Sequence, residues 1–136
     1  MTKRHNGKTI LIIEDEAEIQ NFASRVLQLE GYLVLQARDG NMGIKMATEE
    51  PVSLVLLDQH LPGRDGWSVL AEMKDEPALS MIPVVMLSAS AGIAPKERAL
   101  SMGAADYLVK PLSADKLRKV IANVVNRKIR TIRHAN

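Results

Sequence analysis

Residues 54–67 read LVLLDQHLPGRDGW. An aliphatic run leads straight into a carboxylate, Asp58, and then into the turn signal Pro62-Gly63. Removing a carboxylate from water at the end of a core strand costs free energy unless a cation or hydrogen-bond donors meet it. The stretch therefore predicts a buried strand whose open end carries an acid with partners. SLVLL (53–57) shows no polar alternation, which is the pattern of a strand covered on both faces, as in a parallel sheet.

The flanking sequence repeats this unit. TILII (9–13) is a short apolar run, and Ile19, Phe22, Ala23, Val26 and Leu27 follow at the spacing of one helical face. Asp15 and Glu18 have the spacing of a capping box, and Gly31 is placed to stop the helix. LVLQA (33–37) predicts a second strand. After it Asp39 can cap a helix through Glu49 that turns Ile44 and Ala47 inward, weakened by Gly40 and Gly43. Beyond the central strand, Asp65 is placed to cap a helix that presents Trp67, Leu70 and Ala71. PVVML (83–87) is the fourth strand, Pro95–Met102 a short helix stopped by Gly103, and DYLV (106–109) the fifth strand. From Ser113, Leu117, Val120, Ile121, Val124 and Val125 form one stripe of a last helix. Strands alternating with helices in this way predict an α/β doubly wound, five-stranded parallel sheet with helices on both faces.

With 136 residues, 46% hydrophobic and 25% charged, the chain fits one globular domain. It has no cysteine, which excludes a disulfide framework, a thiolate metal site and a thiol nucleophile. The opening MTKRHNGK leads only into TILII, far short of a membrane span of roughly 20 apolar residues or a signal-peptide core. A cytoplasmic location, away from membrane, is the expectation. The formal charge of +2 is unevenly spread. Residues 1–8 and 127–136 are basic tails without an acid, and the body between them, 9–126, carries eleven basic against sixteen acidic side chains. The domain is thus 9–126, and its acidity makes nucleic-acid binding by the domain itself unexpected. About ten residues follow the predicted last helix, too few to fold alone. The chain reads either as a stand-alone domain or as part of a longer protein with RKIRTIRHAN (127–136) as a linker remnant.

In doubly wound sheets ligands gather outside the carboxyl ends of the strands. Those ends carry Glu14-Asp15-Glu16, Asp58, Ser88 and Lys110. Converging carboxylates repel one another, and a hard divalent cation with oxygen ligands relieves the repulsion; magnesium suits this set. Magnesium keeps several waters and pairs with phosphate oxygens, so such a site stays open for a phosphoryl group. A lysine and a serine hydroxyl can meet further phosphoryl oxygens. The available nucleophile is the central carboxylate itself, which can form an aspartyl phosphate.

ILIIEDE (10–16), ARDG (37–40), LVLLDxxLPGRDG (54–66), VVMLSA (84–89) and GAADYLVKP (103–111), in this order, resemble the receiver domain of two-component response regulators. That resemblance implies a flavodoxin-like sheet of strand order 2-1-3-4-5. It makes Asp58 the phosphoacceptor, with Lys110 and Ser88 contacting the phosphoryl group. It assigns Mg2+ to Glu14, Asp15, Asp58 and the backbone carbonyl of His60, and makes Ser88 and Tyr107 the switch residues. Lys110-Pro111 matches the family's lysine and proline, usually joined by a cis bond. Glu14 departs from the usual Asp by one methylene, which leaves direct and water-mediated metal contact both open. Ser88 replaces the commoner Thr. His60 stands two residues past the phosphoacceptor, where side chains vary and face the attacking water, so it is expected to modulate dephosphorylation.

The implied partners are a histidine kinase or histidine phosphotransfer protein upstream, and a downstream protein or a fused output domain. The implied activity is self-catalysed phosphotransfer and autodephosphorylation, without an external product. Two other classes compete. One is a metal-dependent phosphohydrolase, disfavoured because His60 occupies the place of a leaving-group acid. The other is a receiver-like interaction module that works without phosphorylation, which Glu14 keeps open.

Overall fold

The carboxylate at the end of the central strand sits in the middle of a five-stranded parallel sheet of order β2-β1-β3-β4-β5. A computed structural model describes the backbone of residues 7–135 and the side chains of residues 7–127. Elements alternate strictly: β1 (Thr9–Ile13), α1 (Ala17–Leu29), β2 (Leu33–Ala37), α2 (Gly40–Glu49), β3 (Leu54–Asp58), α3 (Gly66–Asp75), β4 (Val84–Ser88), α4 (Ile93–Ser101), β5 (Asp106–Val109) and α5 (Ala114–Ala135). Every residue of β3 and β4 is buried, as the unbroken apolar runs predict, whereas the edge strand β2 exposes Leu33 and Gln36.

Successive strand residues point to opposite faces, and the core divides accordingly. Leu11, Ile13, Val55, Leu57, Val84 and Met86 pack with Ala47 of α2, with Trp67, Leu70 and Met73 of α3 and with Ala99 of α4. On the other face Ile10, Ile12, Leu54, Leu56, Val85 and Leu87 pack with Ala23 and Leu27 of α1 and Leu117 and Ile121 of α5. The double covering is what forces polar chemistry out to the strand ends.

Asp39 and Asp65 cap α2 and α3 as expected, accepting from the backbone N–H of Met42 and Ser68 at 2.8 and 2.9 Å. Two expectations need correction. Asp15 does not cap α1: the N-cap is Glu16, and no side-chain cap bond is made. The Asp15 carboxylate instead gathers with those of Glu14 and Asp58. Also, α5 runs to Ala135, so the basic stretch 127–136 largely continues the helix instead of following it. Lys3, Arg4 and the side chains of Lys128, Arg130 and Arg133 lie outside the described residues.

The glycines that weaken α2 have a packing reason. A Cβ on Gly43 would come within 2.3 Å of Ile13 Cδ1, so their absence lets the helix lie close to β1. Gly66 is more constrained, because its missing Cβ would meet backbone: the Asp58 carbonyl oxygen at 2.3 Å and Gln59 Cα at 2.8 Å. Its own N–H donates to the Gln59 carbonyl at 2.7 Å, clamping the start of α3 onto the end of β3. Gly66→Ala should therefore cost about 1–3 kcal/mol in urea denaturation, the usual range for overpacking; unchanged stability would contradict this tight seat.

Candidate phosphoryl and metal site

The parallel register sets the site. Ile13 pairs with Leu57, Asp58 with Leu87, and Ser88 with Val109. Glu14, Asp58, Ser88 and Lys110 therefore leave the sheet side by side at its carboxyl edge. The structure brings together the acids and the lysine that the sequence singles out. Lys110 Nζ lies 3.2 Å from Glu14 Oε1, 3.3 Å from Asp58 Oδ1 and 3.1 Å from Glu16 Oε1. The Lys110–Pro111 peptide bond is cis, as expected.

The Glu14 and Asp58 side chains are 0% and 1% exposed, so two fully buried carboxylates share one ammonium. Burial pushes the Glu14 carboxyl up to about 7, with the Asp58 charge adding to the rise. Burial likewise raises Asp58, against the opposing pull of Lys110. For Lys110, burial alone would lower the pKa, but Asp58 and Glu14 together overcome it and hold the ammonium charged. Glu14 Oε2 accepts from the Glu16 N–H at 3.0 Å, and Asp58 Oδ1 from the His60 N–H at 3.3 Å. Glu14 Oε1, although ion-paired, and Asp58 Oδ2 are buried and accept no hydrogen bond.

Carboxylate oxygens of Glu14, Asp15 and Asp58 lie within 4.8 Å of one another. Glu14 Oε1, buried and without a hydrogen-bond donor, stands beside the carboxylates of Asp15 and Asp58, and one oxygen from each of the three makes a donor set that fits a hard divalent cation. With its acids ionised, this cluster would carry more negative charge than a single lysine compensates, which is costly in a desolvated place.

Ser88 is fully buried. Its hydroxyl donates to Gln59 Oε1 and accepts from the Ser90 N–H at 3.0 Å. Tyr107 is also buried, and its hydroxyl donates to the Ser90 carbonyl at 2.6 Å. The two expected switch residues are thus joined through Ser90, in the loop that follows β4. His60 is exposed, and it is its N–H that meets Asp58.

Three residues of this edge escaped the sequence reading. Glu16 was visible in the acidic run but carried no assigned partner. Gln59 has no pattern to mark it. Gln20 interrupts the apolar face of α1, and its amide donates to the carbonyls of Ile12, Glu14 and Ala37 at 3.1–3.2 Å, bracing the end of β1.

The family model for the response regulator receiver domain matches residues 10–122. The chain belongs to that family. Among curated relatives it is 36% identical over 118 residues to the probable transcriptional regulator ycf27 of Porphyridium aerugineum, covering 87% of this chain and 48% of that protein. It is 36% identical over 108 residues to the transcriptional regulatory protein HprR of Escherichia coli, covering 79% of this chain and 47% of that protein. The chain thus spans about half the length of the curated relatives it matches. Among solved structures, a putative response regulator from Chloroflexus aurantiacus aligns with TM-score 0.83 at 28% identity, over 88% of this chain and 98% of that one. A CheY-like receiver domain protein from Methanospirillum hungatei aligns with TM-score 0.83 at 25% identity, over 91% of this chain and 98% of that one. Receiver domains are signalling domains of two-component systems, and the strand order found here is theirs.

The raised Glu14 pKa gives a pH dependence with a definite sign. A carboxyl whose pKa is higher folded than unfolded binds its proton more tightly in the native state, so it stabilises below its unfolded value and that contribution is lost as pH rises through about 7. In chelator, the stability of wild type relative to Glu14→Gln should fall by about 2 kcal/mol between pH 5 and pH 7. Denaturation midpoints of the two proteins that keep a constant separation over that range would contradict the assignment.

Proposed function

We propose that this receiver domain is a phosphorylation-driven switch that accepts a phosphoryl group on Asp58 from a histidine kinase or histidine phosphotransfer protein. The observation that carries the proposal is Asp58 Oδ2, a buried carboxylate oxygen with no hydrogen-bond donor at the end of the central strand, whose sister oxygen is held by Lys110 and the His60 N–H. An oxygen without donors keeps its nucleophilic lone pairs. The other oxygen is fixed, so the nucleophile is aimed without further ordering.

In the transfer, Asp58 Oδ2 forms a bond to phosphorus as the bond from phosphorus to the donor imidazole nitrogen breaks, and the electron pair leaves with that nitrogen. In hydrolysis, water attacks phosphorus, the bond to Oδ2 breaks, and inorganic phosphate departs from a regenerated carboxylate. Glu14, Asp15, Asp58 and the His60 carbonyl are the groups that would hold Mg2+, with Glu14 binding directly or through water. Bound Mg2+ would supply charge neutralisation on the phosphoryl oxygens. Lys110, already charged and 3.3 Å from Asp58, meets a second phosphoryl oxygen, and Ser88 a third. His60 is exposed beside the site and modulates the approach of water.

Ser88 and Tyr107 then carry the change outward through Ser90 to α4, β5 and α5, where a downstream protein or a fused output domain reads it. A cytoplasmic setting accords with this role; among the described residues no helix is long and apolar enough to cross a membrane. The activity is confined to phosphotransfer onto Asp58 and autodephosphorylation, and the receiver domain is assigned to residues 9–126.

Intact mass after incubation with acetyl phosphate tests the reading. Wild type should gain one phosphoryl group with Mg2+ present and none in excess chelator, and Asp58→Asn should gain none. His60→Ala should still be modified but lose the group several-fold faster or slower than wild type. A mass gain that survives Asp58→Asn or chelation would overturn the proposal.

A further inference from the structure

The Ser88 hydroxyl has one proton to donate, and in this structure it is given to the side-chain oxygen of Gln59. Two other constraints close off Ser88. Its oxygen accepts from the Ser90 N–H, and the residue is fully buried, so no bulk water stands ready to replace a lost partner. Gln59 is itself fixed at the backbone: its N–H donates to the Leu87 carbonyl at 2.8 Å, and its carbonyl accepts from Gly66 at 2.7 Å. The side chain thus reaches Ser88 from a rigid base on the neighbouring strand end, one residue past Asp58.

We propose that Gln59 is a positioning residue that latches Ser88 in the unphosphorylated arrangement and so sets the threshold of the switch. The inference rests on the reading of Asp58 as phosphoacceptor. A phosphoryl oxygen on Asp58 and the Gln59 amide oxygen compete for the same Ser88 proton. Binding of the phosphoryl group must therefore break the Gln59 bond, and the net affinity is lowered by the worth of that bond. Because Ser88 Oγ also holds the Ser90 N–H, and the Ser90 carbonyl holds the Tyr107 hydroxyl, releasing the latch frees the same chain of contacts that ends at Tyr107. Gln59 touches the reacting atoms only through Ser88, and its effect should vanish when the Ser88 hydroxyl is absent.

The test is beryllofluoride, a phosphoryl mimic, titrated at saturating Mg2+ and followed by the amide shifts of Ser90 and Tyr107. Gln59→Leu, which keeps the bulk and removes the acceptor, should bind roughly three- to tenfold more tightly than wild type, the range expected from one net hydrogen bond. Gln59→Met serves as a second variant of similar length. In a Ser88→Ala background the Gln59 substitution should change the affinity by less than about twofold, a coupling that a merely structural role would not produce. Unchanged or weaker binding in both Gln59 variants, or a gain that persists in Ser88→Ala, would overturn the latch. Wild type that fails to bind beryllofluoride, or binding that survives Asp58→Asn, would instead overturn the phosphoacceptor reading.

Discussion

The contact on which the edge of this sheet depends is one ammonium, Lys110, set among the carboxylates of Glu14, Asp58 and Glu16 at 3.1–3.3 Å. Two of those acids are fully buried while the third is largely exposed, so the neutralisation is lopsided. The lysine meets one oxygen each of Glu14 and Asp58, and it leaves Asp58 Oδ2 with nothing. A sheet built for stability alone would not place two desolvated acids beside each other, because breaking even one partner from such a set leaves an uncompensated charge. The imbalance has the sign and the oxygen chemistry of a cation site, and it leaves a carboxylate oxygen of Asp58 without a donor beside that site.

The rest of the architecture serves this edge. Parallel pairing brings the ends of β1, β3, β4 and β5 level, and double burial of β3 and β4 denies their side chains any polar outlet except at the ends. Gly66 lets α3 begin against the backbone of Asp58, and Gln20 braces the carbonyls where β1 gives way to the acidic loop. On the other side of Asp58, the path through Ser88, Ser90 and Tyr107 connects the site to the face of β5 by two hydrogen bonds in which the backbone of the exposed Ser90 holds the buried Ser88 and Tyr107 hydroxyls. Such bonds are either made or broken, which suits a two-state response better than a graded one.

Periodicity and punctuation carried most of the fold. β2 and β5 have the bounds that LVLQA and DYLV suggest, and the caps at Asp39 and Asp65 are made by the side chains read for them. The capping box at Asp15 failed because a carboxylate in a cluster of acids has a competing use, and spacing alone does not reveal which use wins. The end of α5 lies beyond the expected one because the basic residues from Arg127 on have the composition of a tail, yet Ile129 and Ile132 keep the i+4 and i+7 spacing from Val125 that marks a continuing helix. At the site, charged residues at strand ends were legible because buried charge demands a reason. Gln59 and Gln20 were not, since neutral amides fit any loop or helix face, and only their three-dimensional partners give them meaning.

That the buried acids hold a proton in place of a cation is tested most directly by calorimetric titration of Mg2+ into metal-free protein at pH 6.5, in two buffers of different ionisation enthalpy. The charge imbalance predicts net proton release on binding, because the Glu14 carboxyl, raised to about 7, must ionise as the cation enters. The release should fade above about pH 8 and shrink in Glu14→Gln. Mg2+ binding at pH 6.5 with an enthalpy independent of the buffer would show that no proton is displaced, and would contradict it.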